Sequence, residues 1–148
     1  MAIDVTTEIV IDRPCANVAA YAADPTNAPR WYANIVAVTW RTPPPLAVGS
    51  KMDFVARFLG RRLAYTYEVS ELDTGRRLVM GTSNSRFPME TTYEWTPIDA
   101  SHTRMSLRNR GGPGGLARFA DPLAAWSVRR STSRDLAVLK RILEAAAV

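Results

Sequence analysis

The feature that most constrains the fold of this chain is a change of hydrophobic period late in its sequence. After Gly49, apolar residues recur at every second position. Met52, Phe54, Ala56 and Phe58 alternate with Asp53, Val55 and Arg57, and Leu63, Tyr65, Tyr67 and Val69 oppose Arg62, Thr66 and Glu68. Phe87, Met89, Thr91, Tyr93 and Trp95 share a face against Glu90, Thr92 and Glu94, and Thr103, Met105, Leu107 and Asn109 share another. A period of two places successive side chains on opposite faces of a strand. Gly60-Arg61, Asp73-Thr74-Gly75 and Pro97 to Ser101 separate these runs as turns, which predicts antiparallel neighbours in a meander. Gly111-Gly112-Pro113-Gly114-Gly115 then reads as a hinge. Beyond it the period is helical, through Leu116, Phe119, Leu123, Trp126, Leu136, Leu139 and Leu143. Asp121-Pro122 has the form of a cap and first-turn proline, opening a helix over 122–147 that spans roughly 39 Å.

The N-terminal part has its own order. Ile3, Val5, Ile9 and Ile11 fall on one face of a strand, with Asp4, Thr6 and Glu8 on the other. Asp12-Arg13-Pro14 breaks it. Cys15 to Ala23 is Ala-rich, with Val18 and Tyr21 at helical spacing, and Asp24-Pro25 ends that helix because a residue before proline avoids the α region. Asp24 also suits the cap of a second short helix running into Trp31. Ile35 to Arg41 reads as a strand, followed by the stiff Thr42-Pro43-Pro44-Pro45. The segment Asp24 to Ile35 is irregular yet carries Trp31 and Tyr32 side by side. Loops are ordinarily polar because their backbone must reach water, so these rings imply a segment closing over something apolar.

Bulk properties narrow the function classes. The 148 residues, 47% hydrophobic and 22% charged, suit one domain over 1–148 with a substantial core. No apolar run approaches the ~18–20 residues of a membrane span. The opening Met1-Ala2-Ile3-Asp4-Val5 lacks the basic start and apolar core of a secretory signal, so a cytoplasmic protein is expected. Cys15 is the only cysteine, so an intrachain disulfide is excluded. The net charge is +5, but the arginines are scattered and no nucleic-acid-binding signature accompanies them, so no nucleic-acid partner is expected.

The order of one strand, two short helices, about six strands and a long C-terminal helix resembles the START-like superfamily, also called Bet v 1-like or SRPBCC, and within it the polyketide cyclase/dehydrase and lipid-transport group. The residues that carry the resemblance are the first strand running into Asp12-Arg13-Pro14-Cys15-Ala16-Asn17-Val18, the Asp24-Pro25-Thr26-Asn27 bend before Arg30-Trp31, the Gly49-Ser50-Lys51 strand opening, and Leu136 to Glu144. The resemblance covers essentially the whole chain. It implies an α+β helix-grip fold: a curved antiparallel sheet of about seven strands wrapped around the C-terminal helix, with a cavity between them and the two short helices at its mouth. Trp31 and Tyr32 would then belong to the wall or gate of that cavity.

The inward faces are rich in aromatics and methionine, where an ordinary core leans on Leu, Ile and Val. An apolar pocket with a few convergent polar groups fits this composition. The candidate ligand-binding residues are Trp31, Tyr32, Phe54, Phe58, Tyr65, Tyr67, Met89, Thr91, Tyr93, Met105, Asn109, Phe119, Leu123 and Trp126. Asn109 stands out as a polar residue before the hinge on an apolar face. Arg57, Arg104 and Arg108 are expected outward, with Glu90 and Glu94 pairing across the sheet with Arg104 and Arg108. The single His102 sits in a turn, so no metal site is expected, no Ser-His-Asp set is arguable, and no cofactor is implied. The Gly-rich hinge lacks the lysine of a phosphate-binding loop. The leading expectation is a carrier or sensor of a hydrophobic small molecule: a lipid, an isoprenoid or a polyketide-like ring system. The alternative is a polyketide cyclase, aromatase or dehydratase, with Tyr65, Tyr67, Tyr93 and Asn109 as its candidates. A further alternative is a membrane- or protein-interaction module using Arg129-Arg130-Ser-Thr-Ser-Arg134. Monomer and homodimer both remain open, because Trp126 suits a dimer face as well as the core.

Overall fold

The computed structural model describes residues 3–58, 60–82, 88–111 and 122–146, the side chains of 58 and 122–124 excepted. In chain order these form β1 (Ile3–Ile11), α1 (Cys15–Ala23), a single 3-10 turn (Pro25–Asn27), α2 (Ala28–Trp31), β2 (Ile35–Trp40), β3 (Lys51–Phe58), β4 (Arg61–Asp73), β5 (Arg77–Thr82), β6 (Met89–Asp99), β7 (His102–Gly111) and α3 (Pro122–Ala145). The strands make one sheet in the order β1-β7-β6-β5-β4-β3-β2, with every neighbouring pair antiparallel. Strands two to seven are thus a meander, and β1 closes against the last of them. This is the α+β helix-grip arrangement that the resemblance implies.

β1 and β3 to β7 bury residues on the face their alternation marks, whereas β2 has no fully buried residue and Leu63, at the start of β4, is exposed. On β1, Val5 and Ile11 are sealed, and their register partners on β7 are Asn109 and Thr103. Met105 and Leu107 of β7, Tyr93 and Trp95 of β6, Leu78 and Met80 of β5, Tyr67 and Val69 of β4, and Met52 and Phe54 of β3 continue the same inner face. Two tight turns depend on glycine: Gly60 has φ +77° and Gly75 φ +81°, a left-handed conformation that side chains resist. β6 takes in the first three residues of the turn expected over Pro97 to Ser101, ending at Asp99. Pro97 pairs with Thr103 and the register shifts between Pro97 and Asp99. A bulge of this kind accommodates a proline that has no N–H to give the ladder. The turn contracts to Ala100 and Ser101, and Asp99 Oδ1 closes it by accepting from Ser101 N at 2.8 Å.

α3 lies against β1 and places Leu136, Leu139 and Leu143 in the core. Burying each such side chain contributes roughly 1.5–3 kcal/mol. Two polar positions share that stripe, Thr132 and Asp135, both at most 5% exposed. Thr132 Oγ1 meets Thr7 Oγ1 at 2.8 Å, joining helix to strand. At the far end Arg13 reaches the closing carbonyls of α3, donating to Leu143 O at 2.8 Å and Glu144 O at 3.1 Å. Its positive charge also meets the negative end of the helix dipole. Glu144 answers by accepting from Asp12 N at 2.9 Å, while Lys140 Nζ bridges Glu144 and Val10 O at 2.6 and 2.7 Å.

The outer face carries a charge ladder, with partners that differ from those expected. Glu90 meets Arg110 at 3.5 Å and Glu94 meets Arg77 at 3.0 Å, in place of Arg104 and Arg108. The register explains the change. Glu90 stands directly opposite Arg110, and Glu94 stands opposite Arg77 on one side and Ser106 on the other. Arg77 is shared with Glu71, and Arg108 grips Asp4 through two bonds of 2.8 and 2.6 Å. These pairs are about half exposed, so solvent screens them and each contributes little to stability. Val79 and Thr92 are buried on this face.

The closure of the fold is testable at two points. Replacing Arg13 by Ala is expected to lower unfolding free energy by about 1–2 kcal/mol, since it strips two charge-assisted bonds from a helix end; urea denaturation with unchanged m-value is the check. His102 Nδ1 lies 2.7 Å from Asp99 and its Nε2 3.6 Å from Asp12, which raises its pKa above the ordinary 6.5, Asp99 being the main cause. The same contact lowers Asp99 below 3.8. The histidine's contribution to stability is fully present below pH 6.5 and is lost as pH rises through its raised pKa; that of Asp99 is present above 3.8 and lost as pH falls through its lowered pKa. The lone histidine is expected to titrate above 6.5 by NMR, and lower in Asp99→Asn.

Candidate functional site

Local sequence explains how two large aromatics reach the interior from an irregular segment. Pro25 stops α1 and leaves Asp24 extended at φ −73°, ψ 111°. Asp24 Oδ1 then accepts from Thr26 N at 3.0 Å and Thr26 Oγ1 at 2.7 Å, capping the 3-10 turn. Asn27 Nδ2 donates back to Tyr21 O at 3.2 Å. The turn leads directly into α2, a single helical turn closed by Tyr32 N donating to Ala28 O at 2.9 Å. Trp31, at 1% exposure, enters the core, and Tyr32 stacks on it with centroids 4.0 Å apart at 30°. The next residue ties this segment to α3, because Ala33 N donates to Asp135 Oδ1 at 3.1 Å.

The sheet supplies the facing wall. Phe54 of β3 stacks on Tyr65 of β4 at 5.6 Å and 7°, while Tyr67 meets Phe54 at 5.3 Å and Tyr65 at 5.1 Å. Tyr93 of β6 lies 5.9 Å from both the Trp31 and Trp95 rings. Six candidates, Trp31, Tyr32, Phe54, Tyr65, Tyr67 and Tyr93, therefore form two ring clusters on one inner face. Aromatic pairs in such tilted and offset geometries add about 0.5–1.5 kcal/mol each beyond area burial.

The polar tips of these rings are organised. Tyr32 Oη and Tyr93 Oη are 2.6 Å apart. Tyr67 Oη lies 2.9 Å from Thr91 Oγ1, which donates to Asn109 Oδ1 at 3.0 Å. The second chain has one direction. Thr91 gives its proton to Asn109, so Tyr67 must give its own to Thr91.

Burial sets the charge state. Desolvation pushes Tyr32, Tyr65 and Tyr93 well above the ordinary phenol range and raises Tyr67 as well; the hydrogen bond with Tyr32 opposes the shift at Tyr93, and that with Thr91 opposes it at Tyr67. All four are neutral near pH 7, so none of them is available as a base. Asp135 is only 3% exposed, and its burial raises the carboxyl above 3.8 although Ala33 N and Arg134 oppose the shift. It is close enough to Tyr93 to disfavour the phenolate.

The remaining candidates are distributed differently. Thr91 and Asn109 belong to the network above, and Met89 packs partly buried against the core. Met105 is sealed at 0% exposure, in register between Ile9 and Trp95. Trp126 does not join the inner wall. It is 55% exposed, with the Arg130 guanidinium 5.4 Å from its ring centroid. At about 100° per residue, Trp126 falls roughly opposite Asp135 on the helix, which accounts for its exposure. Phe119 and the side chains of Phe58 and Leu123 lie outside the described residues. Asp135 is not among the sequence candidates, yet it carries a signal. Thr132, Asp135, Leu136, Leu139 and Leu143 follow one helical stripe, and a carboxylate on an apolar stripe marks either a fault or a site. Two open surface grooves, of about 480 Å³ beside Asp4, Glu94, Arg108 and Arg129 and about 420 Å³ beside Arg13, Tyr21 and Leu143, are separate from the ring clusters. No helix among the described residues is long and apolar enough to cross a membrane.

Comparison with known proteins places this architecture. A protein of Thermus thermophilus superposes with TM-score 0.80 at 17% identity, covering 98% of this chain and 99% of that one. The ZhuI aromatase/cyclase of a Streptomyces species gives TM-score 0.76 at 16% identity, over 97% of this chain and 94% of that one. A START superfamily protein from Mycobacterium smegmatis gives 0.75 at 11% identity, over 95% and 97%. At such identities these likenesses show the shared fold. No curated protein sequence matches the chain significantly. A family profile does, over residues 2–144. The chain belongs to the family described as polyketide cyclase/dehydrase and lipid transport.

Proposed function

We propose that this protein binds a hydrophobic small molecule between its sheet and α3, as a cytoplasmic carrier or sensor of a lipid, an isoprenoid or a polyketide-like ring system. The observation that supports the reading is the aromatic lining of the interior: one ring cluster of Trp31, Tyr32 and Tyr93 and a second of Phe54, Tyr65 and Tyr67, with the Tyr32, Tyr67 and Tyr93 hydroxyls neutral and paired. Flat, polarisable faces with few, neutral polar tips are the surface an apolar ligand binds. Family membership supports the same reading, since lipid transport is among the roles in the family's description.

A second reading, a polyketide cyclase, aromatase or dehydratase, is favoured by one observation. Ring closure or loss of water needs a group that takes a proton near neutral pH. Phenols held neutral by burial do not serve. Asp135 is the described carboxyl that borders the Tyr32–Tyr93 pair, and its raised pKa moves it toward the range of a general base. The Streptomyces neighbour of the same fold is an aromatase/cyclase.

The test is direct. Protein purified from its native host is unfolded in organic solvent and the extract examined by mass spectrometry. The carrier reading expects one apolar species at close to one equivalent, and unchanged ligand after prolonged incubation. Conversion of added poly-β-ketone thioester, abolished in Asp135→Asn while binding persists, would replace it with the enzymatic reading. An empty extract together with no binding of added apolar probes would sink both.

A further inference from the structure

Charge is spread unevenly over the molecule, and free positive charge gathers at one end of the sheet. The meander fixes which segments share that end. β3 finishes and β4 begins there, around Gly60. β1 begins there too, at Ile3, whose register partner Gly111 ends β7 and lies opposite Met89, the first residue of β6. α3 runs alongside β1 in a defined sense: Thr132 meets Thr7, Lys140 meets Val10 and Glu144 meets Asp12. Its first turns, with Trp126 about 9 Å before Thr132, therefore lie at the same end.

Two basic clusters stand here without counter-ions. At the tip of the β3–β4 hairpin, Arg57, Arg61 and Arg62 are exposed, and register sets Arg57 directly opposite Arg62. Like charges so placed destabilise a strand pair. On α3, Arg130 and Arg134 are exposed four residues apart, a spacing at which like charges destabilise a helix. The one acidic residue between Trp126 and Lys140 is the buried Asp135. None of these five arginines forms an ion pair among the described residues. The acids of this end are already held, Asp4 by Arg108 and Glu90 by Arg110. The opposite end gathers Asp12, Asp73, Asp99 and Glu144. Two large apolar side chains are also exposed on the basic segments: Leu63 of β4, and Trp126, with the Arg130 guanidinium over its ring. Repulsion left standing in two separate elements is repulsion that an external anion relieves.

The form of this surface selects the anion. A stable protein interface buries about 800 Å² per partner around an apolar centre, whereas Leu63 and Trp126 stand on separate elements. Single-stranded nucleic acid needs successive stacking aromatics, and Trp126 is the one large aromatic exposed among the described residues. An anionic bilayer requires neither. It is a diffuse negative plane that attracts each nearby arginine, and its interface favours tryptophan. We propose that this end of the molecule, through Arg57, Arg61, Arg62, Arg130 and Trp126, docks on an anionic lipid surface. The inference goes beyond the carrier reading and does not depend on what the interior holds.

Flotation of the intact protein with vesicles is the test. Phosphatidylcholine vesicles containing about 30% phosphatidylglycerol are expected to carry the protein, and pure phosphatidylcholine or ~0.5 M NaCl is expected to leave it behind. Arg62→Gln combined with Arg130→Gln removes one charge from each cluster and is expected to weaken vesicle affinity about twenty- to thirtyfold, at roughly fivefold per arginine. Both positions are exposed and both changes relieve like-charge repulsion, so the variant is expected to fold. Arg76→Gln combined with Arg104→Gln takes the same charge from the opposite end and is expected to weaken binding by less than about threefold. Lipid brominated in its acyl chains is expected to quench tryptophan emission in the intact protein and much less in Trp126→Phe. Equal losses from the two double variants, equal flotation with and without phosphatidylglycerol, or undiminished quenching in Trp126→Phe overturns the proposal. Absence of flotation overturns it as well, and retention on a polyanion column would then assign the basic end to an acidic protein or a nucleic acid. None of these results touches the ligand-binding reading, which the solvent extract decides separately.

Discussion

Everything in this fold depends on a mismatch between one sheet face and the one long helix available to cover it. The sheet has seven strands among the described residues, and α3 packs chiefly along its β1 edge. Leu136, Leu139 and Leu143 close that side. Toward β3 and β4 the inner face must meet its need for burial in another way. There the chain uses large rings that cover one another, Phe54, Tyr65 and Tyr67, and a short helical segment that brings Trp31 and Tyr32 in from the side. The residues that meet this structural need are the same ones in which a binding surface is proposed.

The polar content of this interior follows from the same geometry. A tyrosine buried for its ring brings its hydroxyl with it, and that hydroxyl must be paired. The chain pairs them locally, Tyr32 with Tyr93 and Tyr67 with Thr91 and Asn109. Asp135 adds a carboxyl that fastens α3 to the backbone after Tyr32. One side chain on the long helix therefore sets where the aromatic segment sits, and a change in its charge would be felt at the Tyr32–Tyr93 pair.

Most of the fold is legible in the sequence because its signals are periodic. Alternation through Met52 to Phe58 and Met89 to Trp95 marks strands whatever their partners, and Asp73-Thr74-Gly75 marks a turn because Gly75 must take a positive φ. The inner-face tyrosines follow from the same alternation. What periodicity does not carry is partner choice. It puts Glu90 and Glu94 on the right face, but their partners depend on register, which the bulge near Pro97 and the inter-strand pairing decide. An aromatic on an amphipathic helix is usually inward, which makes Trp126 look like a wall residue; its angle relative to Asp135 and Leu139 says otherwise. Asp135 escapes a pattern search because a carboxylate counts as polar, although its place on the stripe with Leu136 and Leu139 is what sends it inward.

The closure of β1 against β7 also governs how the molecule comes into being. Ile3 pairs with Gly111 and Ile11 with Thr103, so the first strand made finds its partner only after the meander exists. Arg13 finds the end of α3 later still. During synthesis β2 to β7 can zip in order, but β1 has no partner until β7 has emerged, and the inner face lacks its α3 cover until later still. Contacts of such long sequence separation slow folding and lengthen exposure of the unpaired edge. The contacts that close the sheet and cap α3 thus join the two ends of the described chain.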